Sequence, residues 1–336
     1  MRSRLGWPLL LVVLGLSWLV LGSGISQEEQ KARSQVRESL GELFPDLAEA
    51  ARERFGVRRL SPATQAGREV LLLHGLDDPG KVWMNLAPIL ARNGYGVLLL
   101  DYPNDQSIRD SAAFVGRQLE QLAAQGVPEV DIVAHSMGGL VSRELLTSPG
   151  LACQPPACIR ARVSRLVMVG TPNHGSDLAR LRAMSEVREQ LSRLFTGEAG
   201  WLDWIFDGAG EAGTDLLPNS DFLNELNARP HPESTRMWIL AGVIGKGQWE
   251  RLESLLSGHV GELAGPLRQA SERLGDGLVS VNSARLKGVP VIRVTGNHLS
   301  IIRNVRESSE RMPPAIPVIL QLLGGAGGTP LRASDN

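Results

Sequence analysis

The sequence has no surplus of charge of either sign: 35 Lys and Arg stand against 36 Asp and Glu, a formal net charge of −1. That balance lacks the electrostatic footprint of a nucleic-acid-binding protein, so no nucleic-acid partner is expected. Cysteine is nearly missing, at two residues in 336. A disulfide-built scaffold is thereby excluded, and a metal site at the two cysteines would need two more ligands that the neighbouring sequence does not supply. No repeat of fixed period occurs, and low complexity is confined to the Gly-rich stretch at 324–328. The two cysteines, Cys153 and Cys158, close the short run Cys-Gln-Pro-Pro-Ala-Cys. In an exported protein they form either a bridge, stabilising by about 2 kcal/mol in the chain-entropy model, or two free thiols. What is present is 43% hydrophobic residues, enough for one large α/β domain or two small ones.

The front of the chain differs from the rest. Arg2 and Arg4 precede an apolar run from Leu5 to Leu21, interrupted only by Gly, Pro and Ser, and Gly22, Ser23 and Gly24 follow it. A charged start, an apolar centre and small residues after it make a secretory signal peptide. The run falls short of the roughly 20 residues a spanning helix needs, yet an uncleaved N-terminal membrane anchor remains open. No Cys follows the run, so lipid modification there is not supported. Residues 1–24 are therefore expected to export the protein, leaving it periplasmic, secreted or membrane-anchored.

Residues 27–60 read as helical, with Val36, Leu40, Leu43, Phe44 and Leu47 at helical spacing and Pro45 interrupting them. Residues 25–66 are accordingly expected as a helical arm plus a polar linker from Pro62 to Gly67. From Glu69 the pattern changes to short apolar bursts: Val70–Leu73, Val97–Leu100, Val130–Ala134, Leu166–Val169, Trp238–Val243 and Val289–Val294. Such Val-, Ile- and Leu-rich runs suit strands buried on both faces. Amphipathic stretches such as Ser111–Gln125 and Gly139–Thr147 lie between them, and strand alternating with helix predicts a doubly wound, mostly parallel sheet. The main domain is placed at 67–325, ahead of a flexible tail at 326–336. Two insertions, about 176–235 and about 245–275, lack the alternation and read as helical cap pieces over the strand ends. The first carries Trp201, Leu202, Trp204, Ile205 and Phe206, which either cover an apolar pocket or pack the cap on the core.

Active sites of such sheets lie at the carboxyl ends of the strands. There, Asp131-Ile132-Val133-Ala134-His135-Ser136-Met137-Gly138-Gly139 runs from a buried strand straight into a helix. This is the strand–turn–helix nucleophile elbow, Gly-x-Ser-x-Gly, with Ala134 in place of the first Gly. A serine held there is strained, exposed, and at a helix N-terminus that favours developing negative charge. Acyl transfer also needs two backbone N–H donors for the oxyanion. Met137 follows the nucleophile, and Leu76, in His74-Gly75-Leu76, occupies the loop after an earlier strand. Asp276 lies between Gly275 and Gly277, after the presumed seventh strand, and His298 stands just beyond the last one. Asp101 is the alternative acid, at the end of Val97–Leu100. His135 would point away from the elbow, and His174 suits a cap hinge better than a base.

These residues resemble the lipase and esterase branch of the α/β-hydrolases, including bacterial triacylglycerol lipases and GPI-inositol-deacylase-like esterases, over roughly 69–320. The chain order Ser, Asp, His is that of the superfamily. Gly170-Thr171-Pro172-Asn173-His174-Gly175-Ser176 is similar to its Gly-Thr-Pro-His-x-Gly-Ser segment, with Asn173 in the His place, and Pro218–Asn227 resembles a stretch that closes the cap. The resemblance implies a catalytic triad of Ser136, Asp276 and His298, with Leu76 and Met137 as the oxyanion hole. Some bacterial relatives bind calcium through acidic residues soon after the catalytic His. Here Ser300, Ile301, Ile302 and Arg303 follow, so no metal and no cofactor are expected. The implied activity is hydrolysis of a carboxylic ester, the substrate a hydrophobic ester or lipid. Acyl transfer to an alcohol by the same triad, and a non-catalytic lipase-like scaffold, are the competing expectations.

Overall fold

The computed structural model describes residues 55–64, 68–76, 80–104, 106–152, 159–176, 211–244, 275–304 and 309–324. All belong to the unit running from Phe55 onward. The expectations for the N-terminal segment, the Cys153–Cys158 loop, the aromatic group at 201–206, most of both insertions and the tail lie outside these residues.

Seven strands form one sheet among the described residues, in the order β1-β3-β2-β4-β5-β6-β7. They are β1 (Gly56–Ser61), β2 (Glu69–Leu73), β3 (Gly96–Asp101), β4 (Glu129–His135), β5 (Arg162–Val169), β6 (Arg236–Val243) and β7 (Val291–Thr295). Every neighbouring pair is parallel except β1 with β3. The helices that cover the sheet include α1 (Leu86–Arg92), α2 (Ile108–Ala124), α3 (Met137–Thr147) and, later in the chain, α7 (Ala315–Gly324). The shorter helices are α4 (Glu211–Asp215), α5 (Asp221–Ala228) and α6 (Val281–Ala284).

The apolar bursts explain why the sheet is covered on both sides. Side chains alternate across a strand, so Leu71 and Leu73 of β2 pack with Ile108, Val115, Leu119, Leu140 and Val141 from α2 and α3. Val70 and Leu72 face the other way, toward Leu86 and Leu90 of α1 and Ile316 and Ile319 of α7. All four of these β2 residues are completely buried, and each such side chain is stabilising by roughly 1.5–3 kcal/mol. Helix α2 begins at Ser107, whose hydroxyl accepts the Asp110 amide at 3.1 Å.

One boundary differs from the sequence reading. The helical pattern expected through residue 60 gives way to a strand, β1, whose residues Gly56 to Arg59 pair antiparallel with Asp101 to Leu98 of β3. A sheet edge presents a row of unpaired N–H and C=O groups, and this segment satisfies them. Arg59 adds an ion pair to Glu69 at 2.7 Å. The strand that precedes Asp276 is β6, sixth rather than seventh in chain order among the described residues.

Candidate active site

The sharp turn at Ser136 is written into its backbone. Ser136 has φ 53° and ψ −126°, between β4 and the first residue of α3, in a region that L-residues rarely occupy. Its amide donates to the Val169 carbonyl at 2.9 Å, and its carbonyl accepts from Gly139 at 3.1 Å. Gly138 is required by closeness: a Cβ there would fall 2.5 Å from the His74 carbonyl oxygen and 2.7 Å from that of Leu73. Ala134, in the place of the pattern's first Gly, is a fully buried strand residue paired with Leu73 and Met168, and its methyl is accommodated there.

Asp276 occupies a tight loop between Gly275 and Gly277, both at positive φ. One carboxylate oxygen, Oδ1, accepts the amides of Leu278 at 2.9 Å and Val279 at 2.8 Å. The other, Oδ2, lies 2.8 Å from Nδ1 of His298. The His298 amide also donates to the Asp276 carbonyl at 2.9 Å. Both side chains are buried, at 1% and 4% exposure, so water does not compete for the contact. With the Nδ1 proton given to Asp276, Nε2 is the proton-accepting nitrogen of the ring.

Two features join this pair to the elbow. Gly170 directly follows Val169, the partner of the Ser136 amide, and a Cβ on it would sit 3.1 Å from the His298 ring and 3.2 Å from Asp276 Oδ2. His135, which directly precedes Ser136, places Nε2 at 3.1 Å from the His298 carbonyl, with ring centroids 4.7 Å apart. The His135 ring, expected to point elsewhere from the elbow, lies against the backbone and ring of His298. Burial, with His298 alongside, pushes the His135 imidazole well below its ordinary pKa.

Leu76 stands at the turn after β2, half-buried against the core, and Met137 is the fully buried first residue of α3. The preceding Gly75 packs so closely on the elbow that a Cβ would lie 2.8 Å from Ser136 Cβ. His74 is buried, stacks on Tyr102 at 4.6 Å between centroids, and accepts the Tyr102 hydroxyl at its carbonyl at 2.8 Å. Asp101 lies 3.8 Å from His74 Nε2, so its nearest histidine is His74 rather than His298. His174 bonds Ser283 O through both its amide (2.9 Å) and Nδ1 (3.1 Å).

A second polar cluster, announced by no sequence pattern, is centred on Arg143 of α3. Arg143 is 1% exposed and donates to Asn173 Oδ1 at 3.0 Å and Asn227 Oδ1 at 2.9 Å. Asn173 is therefore a structural bracket; its own side-chain amide donates to Ala284 O at 2.7 Å. Burial, with Arg229 near, pushes the Arg143 pKa down to about 10, which leaves it charged at neutral pH. Among the described residues no three His, Cys, Asp or Glu side chains gather as a metal ion would require.

Residues 49–217 match the family described as a domain of unknown function, DUF7379, and the chain belongs to that family. Among solved structures it is similar to the mature form of a Bacillus licheniformis lipase, BlEst2, with a TM-score of 0.56 and 22% identity over 80% of this chain and 97% of that one. It is also similar to a metagenomic carboxyl esterase, MGS0156, with a TM-score of 0.50 and 20% identity over 78% of this chain and 77% of that one. With its mostly parallel sheet covered on both faces, the protein has the α/β-hydrolase fold.

Proposed function

We propose that the protein is a serine hydrolase of carboxylic esters, in the lipase and esterase branch of its fold, using Ser136, His298 and Asp276. The observation that carries this reading is the buried 2.8 Å contact of His298 Nδ1 with Asp276 Oδ2, beside a serine held at φ 53°. In the proposed reaction His298 Nε2 takes the Ser136 hydroxyl proton as Oγ bonds to the ester carbonyl carbon. The amides of Leu76 and Met137 donate to the resulting oxyanion. Collapse breaks the bond to the alkoxide, which leaves with the proton from His298, and an acyl-enzyme remains. Water, losing a proton to Nε2, then attacks the acyl carbon and Ser136 recovers its proton as the acid departs. Asp276 orients the imidazole and stabilises its charged form throughout.

The substrate class proposed is an ester with an apolar acyl chain, in keeping with the names of the two similar enzymes. Export is proposed from the N-terminal pattern and is checked by fractionating cells that produce the full chain. The activity is tested with a fluorophosphonate probe and a panel of p-nitrophenyl esters of rising chain length. Labelling that disappears in Ser136→Ala, with free acid released from the panel, is the expected result. Failure of the wild type to label, or labelling that persists in Ser136→Ala, overturns the assignment. Product analysis with added alcohol separates hydrolysis from acyl transfer, because a new ester in excess of free acid would reject hydrolysis as the main reaction.

A further inference from the structure

The base of the proposed triad is held at three points, and only two of them belong to its acid. Asp276 accepts a hydrogen bond from His298 Nδ1–H at its carboxylate and another from the His298 amide at its own carbonyl. The third point is the His298 carbonyl, 3.1 Å from His135 Nε2. A carbonyl oxygen only accepts, so His135 must carry its proton on Nε2. Because His135 and Ser136 are adjacent, this bond ties the backbone of the base to the backbone of the nucleophile. The ring contact between His135 and His298 and the approach of Gly170 to the His298 ring are packing contacts and carry no such hydrogen bond.

We propose, resting on the serine-hydrolase reading above, that His135 is a positioning residue for His298, fixing the approach of its Nε2 to Ser136. It acts as the neutral Nε2–H tautomer and takes no proton during turnover. Several things about the site fit that role. His135 is 3% exposed, so its single donor is not diverted to water. Its ring lies 4.7 Å from that of His298, tilted by 49°, close enough that a positive charge on it would oppose the imidazolium forming on His298. Burial beside His298, Arg303 and His74 disfavours that charge. An apolar residue in the same place would keep the packing yet leave the His298 carbonyl without this donor.

The test compares His135→Gln, His135→Asn and His135→Leu in the full chain. The Gln amide nitrogen stands about as far from Cα as His Nε2 and keeps the donor; Asn is one methylene too short, and Leu has no donor. Displacement of a reacting group by about 1 Å costs on the order of 100-fold, so Asn and Leu should lower kcat for p-nitrophenyl butyrate by about 10- to 100-fold, with KM within about twofold. Their rate of fluorophosphonate labelling should fall in parallel, while Gln stays within about fivefold of wild type in both. Equal losses in Gln and Asn, both folded by melting, would show that packing alone matters and overturn the proposal, as would wild-type kcat in Asn or Leu. If Leu does not fold, the Gln and Asn pair decides. A wild type that neither labels nor hydrolyses esters rejects the hydrolase reading instead, and this positioning role with it.

Discussion

Arg229 Nη1 donates to Glu144 Oε2 at 2.6 Å, joining the end of α5 to the interior of α3, the helix that begins just after Ser136. Glu144 is only 1% exposed, and its second oxygen lies 3.8 Å from Arg109 Nη1. Arg229 and Arg109 also share Glu225, an exposed carboxylate whose pKa these two arginines hold at about 2. The α5 segment, which lies within the stretch 176–235 expected as cap, is thereby anchored on α3 by charge as well as by the buried side chains of Phe222, Leu223 and Leu226.

Removing one partner of a buried ion pair leaves the other charge desolvated, at a cost of about 3–5 kcal/mol. Arg109 remains near Glu144, so Arg229→Met is expected at the lower end, about 3 kcal/mol, and to lower Tm by about 6–10 °C. Glu225→Gln removes only a surface partner and should cost under about 1 kcal/mol. Thermal unfolding of the two variants checks this ordering; equal shifts would reject a special weight for Glu144.

Much of the sheet was legible because strands buried on both faces must be apolar at every position, and helices between them must be amphipathic. Ser136 and His298 could be singled out because each stands just beyond a strand, and Asp276 because glycines flank it; of these the structure brings Asp276 and His298 into direct contact. The His135 contact was not legible: its partner is a backbone carbonyl, and no side-chain pattern announces where that carbonyl faces. Arg143 and Glu144 were equally hidden. Adjacent opposite charges on a helix read as a solvated face, and only α5 and Asn173, far along the chain, make them interior. The strand β1 was missed because its structure is decided by the open edge of β3 rather than by its own six residues.

The backbone of Ser136 stores strain that its substitution can release. At φ 53° and ψ −126° a side chain costs about 1–3 kcal/mol, whereas glycine occupies such angles freely. Against this, glycine loses about 0.5–1 kcal/mol more in chain entropy on folding. Ser136→Gly is therefore expected to be more stable than Ser136→Ala by about 1 kcal/mol, a Tm difference of about 2–4 °C. Calorimetry of the two variants at neutral pH measures it. A less stable Gly variant would mean that the turn relaxes without the side chain.

His135 gives stability a definite pH dependence. Its folded pKa lies well below the 6.5 of an unperturbed histidine, because burial and the neighbouring His298 disfavour the charge. The unfolded chain therefore takes up this proton at higher pH than the folded one. The stabilisation is fully present above pH 6.5 and is lost as pH falls toward the folded value, by up to about 1.4 kcal/mol for each pH unit. His135→Gln has no proton to bind, so its Tm should decline more gently than that of wild type on acidification below pH 6.5. Parallel Tm curves for the two proteins would contradict a neutral, buried His135.

The loop around Asp276 makes one substitution unusually informative. Oδ1 receives two backbone amides, from Leu278 and Val279, so whatever replaces it must accept hydrogen bonds. In Asp276→Asn the amide oxygen is held at that position, and the NH2 group is turned toward His298 Nδ1. Nδ1 must then accept, which moves the ring proton to Nε2, the nitrogen that should receive the proton of Ser136. The fold loses little, since every hydrogen bond keeps a partner, but the base is in the wrong tautomer. Such a change is expected to lower kcat for a short ester by about 10⁴-fold, with Tm within a few degrees of wild type. Asp101→Asn, which alters the neighbour of His74 instead, should retain kcat to within about tenfold. If the two variants lost activity equally, the acid would have to be sought at the end of β3.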